Sequence, residues 1–378
     1  MAVNYKFPEI RTINDVLPHI QDRPEFIVAE RDFGTVVNYM VAYSDSFDMS
    51  SPDDLTGAIR RECRGLIFDT EGKIMSRPFH KFFNLNERDE TQQHLIALDM
   101  LSDHTIMEKM DGSMIRPVIM HDELRLATKM GVTDIAEDAE KLLTTKRYEW
   151  LLYMVKNGIT PLFEYIAPWN KIVVDYKDAD LVYLGSRMNI SGKYFFDQQS
   201  APFTLVTQYG TMFGDLTDYV SRARQKEGRE GDIIRFADGH MIKLKNDWYV
   251  RIHKTKDLIQ SNRNIAEIII NEKLDDIIPL LDATDLAKVK AYELRFNAAI
   301  ENVLGRIDGL VTLARVLHGS NKKDVAVNFI PNLKYKDDAK CIFAAYDNKD
   351  IRAFVIDFIK KSVNNTTKYD ELMQWMES

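Results

Sequence analysis

The chain has 378 residues, enough for about two domains. Hydrophobic residues make up 45% and charged residues 29%, a globular rather than disordered composition, and no apolar run approaches the roughly 18 residues of a membrane span. Fifty Lys and Arg stand against 58 Asp and Glu, a net of −8, which argues against a protein that coats nucleic acid through a general positive surface. The first fifteen residues have no long apolar stretch and do not read as a secretory signal. Two cysteines, Cys63 and Cys341, cannot make a disulfide framework, so a reducing, cytoplasmic setting is expected.

In chain order, Phe26–Arg31 and Thr35–Tyr43 read as a hairpin around Asp32-Phe33-Gly34. Gly65–Asp69 reads as a short strand before a Glu71-Gly72 turn. Further strands are expected at Arg116–Met120, Leu124–Thr128, Pro161–Ile166, Ile172–Val174, Leu181–Ser186, Asp232–Phe236 and His240–Leu244. Between them one helix is expected over Thr133–Asn157, with Thr133 as N-cap and Gly158 as the stop. Residues 1–258 therefore read as an α+β region of many antiparallel strands. Helical periodicity dominates beyond 258. Leu286, Val289, Tyr292, Phe296, Ile300, Val303, Ile307, Leu310, Leu313 and Leu317 make one apolar stripe on a long helix, with Gly305 and Gly309 placed either to bend it or to allow close packing. Cys341–Tyr346, Ile351–Ser362 and Tyr369–Met376 add helices, so 259–378 reads as a separate all-α domain.

The most informative string is Glu108-Lys109-Met110-Asp111-Gly112-Ser113. It contains Lys-x-Asp-Gly, the signature of a lysine that becomes covalently linked to a nucleoside monophosphate. A lysine amine is a poor nucleophile while protonated, so such a site needs cations nearby that favour the neutral form. Taken alone, the string reads more readily as a charged β-turn. Downstream come Phe163-Glu164-Tyr165, Glu230-Gly231-Asp232 and Lys243-Leu244-Lys245, in the order and rough spacing of the other motifs of covalent nucleotidyltransferases. On a strand, Lys243 and Lys245 share one face and can grip phosphate. Glu164 suits a ribose hydroxyl, and Glu230 suits either a divalent cation or the lysine amine.

The chain here resembles the ATP-dependent RNA ligases of the T-even bacteriophage RNA ligase 1 type. The resemblance rests also on Glu62-Cys63-Arg64-Gly65, on the run from Ser76 to Glu87, on Thr128-Lys129-Met130-Gly131, on Ala167-Pro168-Trp169-Asn170-Lys171-Ile172-Val173 and on Asp247-Trp248-Tyr249-Val250. It is clear over roughly residues 35–258. It implies a nucleotidyltransferase (adenylation) domain over 1–258 and an all-helical C-terminal domain over 259–378. By the same resemblance Lys109 takes AMP from ATP, while Arg64 and Lys81 contact its phosphates. Phe83 supports the pocket and Glu164 binds the ribose. Lys243 and Lys245 hold phosphate through the later steps, and Lys129 and Glu230 are needed for activity. An aromatic nucleotide contact falls on either Asn38 or Tyr39. Asp275 of the pair Asp275-Asp276 is either a metal ligand or ordinary helix-surface charge.

The resemblance implies an ATP and Mg²⁺ (or Mn²⁺) requirement, lysyl-AMP and 5′-adenylated RNA intermediates, and joining of 5′-phosphate to 3′-hydroxyl ends of single-stranded RNA. Broken tRNA ends would be the natural substrate, and a polynucleotide kinase/phosphatase the functional partner. A monomer in the cytoplasm of an infected host cell is expected. The helical tail either selects the RNA or only stabilises the first domain. The rival readings are a DNA ligase or mRNA-capping enzyme, which usually carry a small β-barrel after the paired lysines where this chain turns helical, and a non-catalytic RNA-binding relative. The departures are Met110 at the variable position, Asp232 where a bulky side chain is more usual, and extra residues between Asp45 and Arg64. By composition residues 259–378 carry 17 Lys/Arg and 18 Asp/Glu, leaving 33 against 40 in the proposed catalytic region. A local cationic cleft in an acidic domain is therefore expected, rather than a basic surface.

Overall fold

The computed structural model describes residues 6–196, 200–212 and 214–377. They fall into two units, one ending at Val250 and the next beginning at Arg251. That division lies inside the helix Asp247–Leu258, whose last residue is the boundary expected from sequence.

In the first unit the described strands form three sheets. The first is the antiparallel run β1 (Phe26–Arg31), β2 (Gly34–Tyr39), β3 (Leu66–Phe68) and β4 (Ile74–Ser76). The remaining strands in chain order are β5 (Phe83–Asn84), β6 (His104–Lys109), β7 (Ser113–Met120), β8 (Glu123–Ala127), β9 (Ile159–Ile166), β10 (Asp180–Met188), β11 (Tyr194–Phe195), β12 (Thr204–Leu205), β13 (Gln208–Gly210), β14 (Gly231–Phe236) and β15 (Met241–Lys245). The second sheet runs β11-β10-β9-β7-β8 with β12 beside β10, and the third runs β13-β6-β14-β15-β5. Pairing is antiparallel except for β12 on β10 and β5 on β15.

Strand alternation decides what each sheet face does. On the third sheet Ile106, Ile234, Ile242 and Leu244 point one way and pack on Leu216, Val220 and Ala223 of the helix Leu216–Arg224. Met107, Ile233 and Met241 point the other way, into a cluster with Ile166, Val182 and Leu184 of the second sheet. Lys109 and Lys243 share the parity of Met107 and Met241. The lysines therefore lie on the face turned toward the second sheet, where Glu164 lies opposite Val182. The other face of the second sheet buries Ile115, Leu126, Phe163 and Tyr183 with Ala136, Ala139 and Leu151 of two covering helices.

Three expected elements differ, the first being Thr35–Tyr43, whose strand ends at Tyr39. Thr133–Asn157 is two helices, Asp134–Glu140 and Thr145–Lys156, because Thr144 supplies a second N-cap through a hydrogen bond from the Arg147 N–H to its hydroxyl. Ile172–Val174 is not a strand. The amides of Val173 and Val174 both donate to the Asp111 carboxylate, at 2.8 Å each, instead of to a neighbouring strand. Cys63 and Cys341 are free and buried.

The second unit is helical, as its periodicity implied. Its main helix, Ala283–His318, spans 36 residues, about 54 Å. Asp282 caps it by accepting from the amides of Thr284 and Asp285. Val289, Tyr292, Phe296, Ile300, Val303 and Ile307 are buried as expected. Beyond Ile307 the buried positions become Val311 and Ala314, while Leu313 and Leu317 are exposed. A Cβ at Gly305 or Gly309 would meet nothing within 4 Å, so neither serves a close approach. Asn262–Ile270, Lys336–Tyr346, Ile351–Val363 and Tyr369–Met376 complete the bundle. No described helix is long and apolar enough to cross a membrane.

Candidate active site

Lys109 is the last residue of β6, and the turn after it is held from several sides. The Asp111 carboxylate, 2% exposed, accepts from the amides of Val173 and Val174 and, at 2.7 Å, from the Tyr249 hydroxyl. Its own amide donates to the Tyr176 hydroxyl. The Gly112 amide donates to Glu164 Oε1 at 3.1 Å. A Cβ at Gly112 would lie 2.3 Å from the Tyr165 carbonyl oxygen, so only glycine lets the turn approach β9 this closely.

Gly231 lies opposite Lys109 on one side and Lys245 on the other. Glu230, just before it, is 4% exposed and bridges both ammonium groups. Its carboxylate lies 2.5 Å from Lys109 Nζ and 3.2 Å from Lys245 Nζ. Lys243 Nζ sits 4.6 Å from the centre of the Phe82 ring. Burial, together with the charges of Arg64, Lys109 and Lys81, brings its amine down to about 6. Burial pushes the Glu164 carboxyl up to about 8, against the pull of Lys109 and with Glu230 and Asp111 adding to the rise. Near neutral pH this places a neutral amine and a protonated carboxyl in one cleft.

The other cations gather at Tyr39. Lys81 Nζ lies 5.3 Å from its ring centre and donates to its hydroxyl at 3.4 Å, and Lys129 Nζ lies 5.4 Å from the same ring. Burial would raise the Tyr39 phenol, but Arg64, Lys81 and Lys129 bring it below its ordinary value. Asn38 points to the other face of β2, where its amide donates to Met130 Sδ. Strand alternation thus separates two residues that sequence left open. Phe83 is buried beneath Lys81 in a floor shared with Phe47 and Tyr39. Arg64 reaches the neighbouring backbone through a hydrogen bond to the His80 carbonyl.

The first unit thus gathers Lys109, Glu230, Lys245, Lys243 and Glu164 in one cluster and Arg64, Lys81, Lys129 and Phe83 around Tyr39. The two meet through the charges of Arg64 and Lys81 on Lys243. Asp275 belongs to the second unit, exposed on the short helix Leu274–Ile277 beside Asp276. Among the described residues no group of three or more His, Cys, Asp or Glu side chains is placed to hold a metal ion. Sequence reasoning missed Phe47 and Tyr176, which have no motif spacing, and gave no part to Phe82 within the run from Ser76 to Glu87. The Asp232 departure is absorbed by partners of its buried carboxylate, the half-buried Tyr219 hydroxyl and Arg229.

Glu62 has a structural part. Its carboxylate lies between Arg77 and Arg187, all three side chains fully buried, at 3.0 Å and 2.7 Å. Burial would raise the carboxyl, but the two arginines hold it below its ordinary value.

Antiparallel sheets enclosing a lysine cleft, with a helical unit following, make this a nucleotidyltransferase fold. The sequence model of the RNA ligase family matches residues 62–249. A protein of Thermovibrio ammonificans assigned as an RNA ligase is 26% identical over 277 residues, covering 68% of this chain and 71% of that one. RNA ligase 1 of bacteriophage TS2126 is 25% identical over 335 residues, covering 80% of each. An archaeal ATP-dependent RNA ligase of known structure superposes with a TM-score of 0.44 at 13% identity, over 74% of this chain and 76% of that one. The chain belongs to the RNA ligase family and is an enzyme of that class.

Proposed function

We propose that the protein joins 5′-phosphate and 3′-hydroxyl ends of single-stranded RNA, using ATP and a lysyl-AMP intermediate on Lys109. The observation that carries this is the sharing of buried Glu230 by Lys109 and Lys245, beside a turn whose glycine amide is bound to Glu164. Lys109 Nζ loses a proton to Glu230 and attacks the α-phosphorus of ATP. An N–P bond forms and the P–O bond to pyrophosphate breaks. The 5′-phosphate of an RNA then displaces the lysine, giving a 5′–5′ pyrophosphate-linked adenylate. A 3′-hydroxyl attacks that end, the phosphodiester forms and AMP leaves.

Each step develops charge on phosphate oxygens, so Lys243 and Lys245 can serve more than one of them. Arg64, Lys81 and Lys129 suit the triphosphate, Tyr39 the base and Glu164 the ribose. Glu230, together with Glu164 once ionised, would hold a Mg²⁺ or Mn²⁺ ion beside Lys109. When bound, that ion offsets charge on the leaving group.

The ends consumed imply an upstream reaction that leaves a 5′-phosphate and a 3′-hydroxyl. A polynucleotide kinase/phosphatase supplies both, and broken tRNA loops would provide such ends. The free thiols suit a reducing cytoplasm. We assign RNA selection to the helical unit, and Asp275 to a metal contact there. Incubation with ATP or GTP, then with single-stranded RNA or nicked DNA, tests the reading. RNA joined with ATP alone supports it. Use of GTP, or sealing of DNA nicks only, overturns it in favour of a capping enzyme or DNA ligase.

A further inference from the structure

Arg116 lies on β7 with its side chain fully buried. Its guanidinium makes three hydrogen bonds, all to uncharged oxygens. Nε donates to Ser76 Oγ at 2.8 Å, Nη1 to the Thr128 carbonyl at 3.2 Å, and Nη2 to the Gly65 carbonyl. Burial, with no carboxylate to offset it, brings the guanidinium down to about 9. A buried cation without a counter-charge is costly, and an apolar side chain would fill the same space more cheaply. What this arginine adds is geometry.

Its acceptors come from three separate segments. Gly65 follows Arg64, Thr128 precedes Lys129, and Ser76 opens the run that leads to Lys81. The first two segments touch directly. A Cβ at Gly65 would lie 2.5 Å from the Lys129 carbonyl oxygen and 2.9 Å from its Cα, and Gly65 has φ +101°. The backbones beside Arg64 and Lys129 are thus pressed together, with one guanidinium holding the carbonyls on either side. Arg64 and Lys129 both act on Tyr39.

We propose that Arg116 is a positioning residue that sets the spacing of Arg64 and Lys129 around Tyr39, and through them the grip on the nucleotide phosphates. This rests on the reading of the cleft as an ATP site. Arg116 is buried and acts only through the backbones it holds.

The test is the ATP dependence of protein adenylylation in Arg116→Met and Arg116→Lys, measured beside the thermal unfolding midpoint. A displacement of phosphate-binding groups by a fraction of an ångström should raise the half-saturating ATP concentration of Arg116→Met by about tenfold or more. The maximal rate should change less. Arg116→Lys keeps the charge and one or two of the donors and should recover part of the loss. Should Arg116→Met fail to fold, the same rise in Arg116→Lys with a near-native midpoint supports the proposal. Native half-saturation in a folded variant overturns it, as does a fall in rate alone or the unfolding of both variants. A native protein that takes no AMP from ATP overturns the reading of the cleft instead.

Discussion

The low proton affinity of Lys243 gives binding a measurable signature. Burial and the charges of Arg64, Lys109 and Lys81 hold its amine near 6, so at pH 8 only about 1% carries a proton. A bound triphosphate brings negative charge against it, and opposite charge at close range raises such a group by about one to three units. A recovery of two to three units protonates between about half and nine-tenths of the sites at pH 8. Binding should therefore draw that fraction of a proton from solution. Glu164, which titrates near 8, exchanges protons of its own when ligand charge arrives, so the comparison is with Lys243→Met. The assay is calorimetric titration in two buffers of different ionisation enthalpy, with an ATP analogue whose α and β phosphorus are joined by methylene so that no AMP transfers. Native protein should take up about 0.5 to 0.9 proton more than the variant. Equal uptake in the two refutes the coupling of Lys243 to the phosphates.

Three further outcomes follow from named contacts. Glu62→Gln leaves Arg77 and Arg187 buried without their shared counter-ion and should cost about 3–5 kcal/mol, read as a fall in the denaturation midpoint. Glu164 titrates above its ordinary 4.5, so the stability it contributes is present below pH 4.5 and lost as pH rises toward 8. Glu164→Gln should lack that decline, and parallel slopes in the two proteins would contradict the buried carboxyl. Tyr39→Phe should keep ATP affinity within a few-fold because the ring faces Lys81 and Lys129, whereas Tyr39→Ala should lose about tenfold or more, measured by equilibrium binding.

The parts legible in sequence were those governed by local rules. Alternation placed Lys243 and Lys245 on one face of β15, and the 3.6-residue period marked the Ala283–His318 helix. Lys109, Lys243 and Lys245 of the third sheet lie with Glu164 of the second and with Glu230, which precedes β14. What sequence hid was long-range competition for backbone groups. Ile172–Val174 looked like a strand until Asp111 took its amides. The split at Thr144 was a capping signal present in the sequence and overridden by a continuous apolar pattern. Asn38 and Tyr39 could not be separated without the sheet, since adjacent strand residues differ only in the face they present. Arg116 read as an ordinary strand residue, because its three acceptors lie 12, 40 and 51 residues away.

The acidic excess of the first region bears on the same point. Lys109, Lys243 and Lys245, with Arg64 and Lys81 acting on Lys243, form a local group of cations, so binding focused on a few phosphates should weaken with salt.

The most direct measurement is the mass of the protein after incubation with ATP and a divalent cation, followed by peptide mapping. The native chain should gain one AMP, on Lys109, and Lys109→Ala should gain none while still joining RNA supplied with a ready-made 5′-adenylate. AMP retained by Lys109→Ala, or mapped to any other residue, would contradict the assignment of the nucleophile.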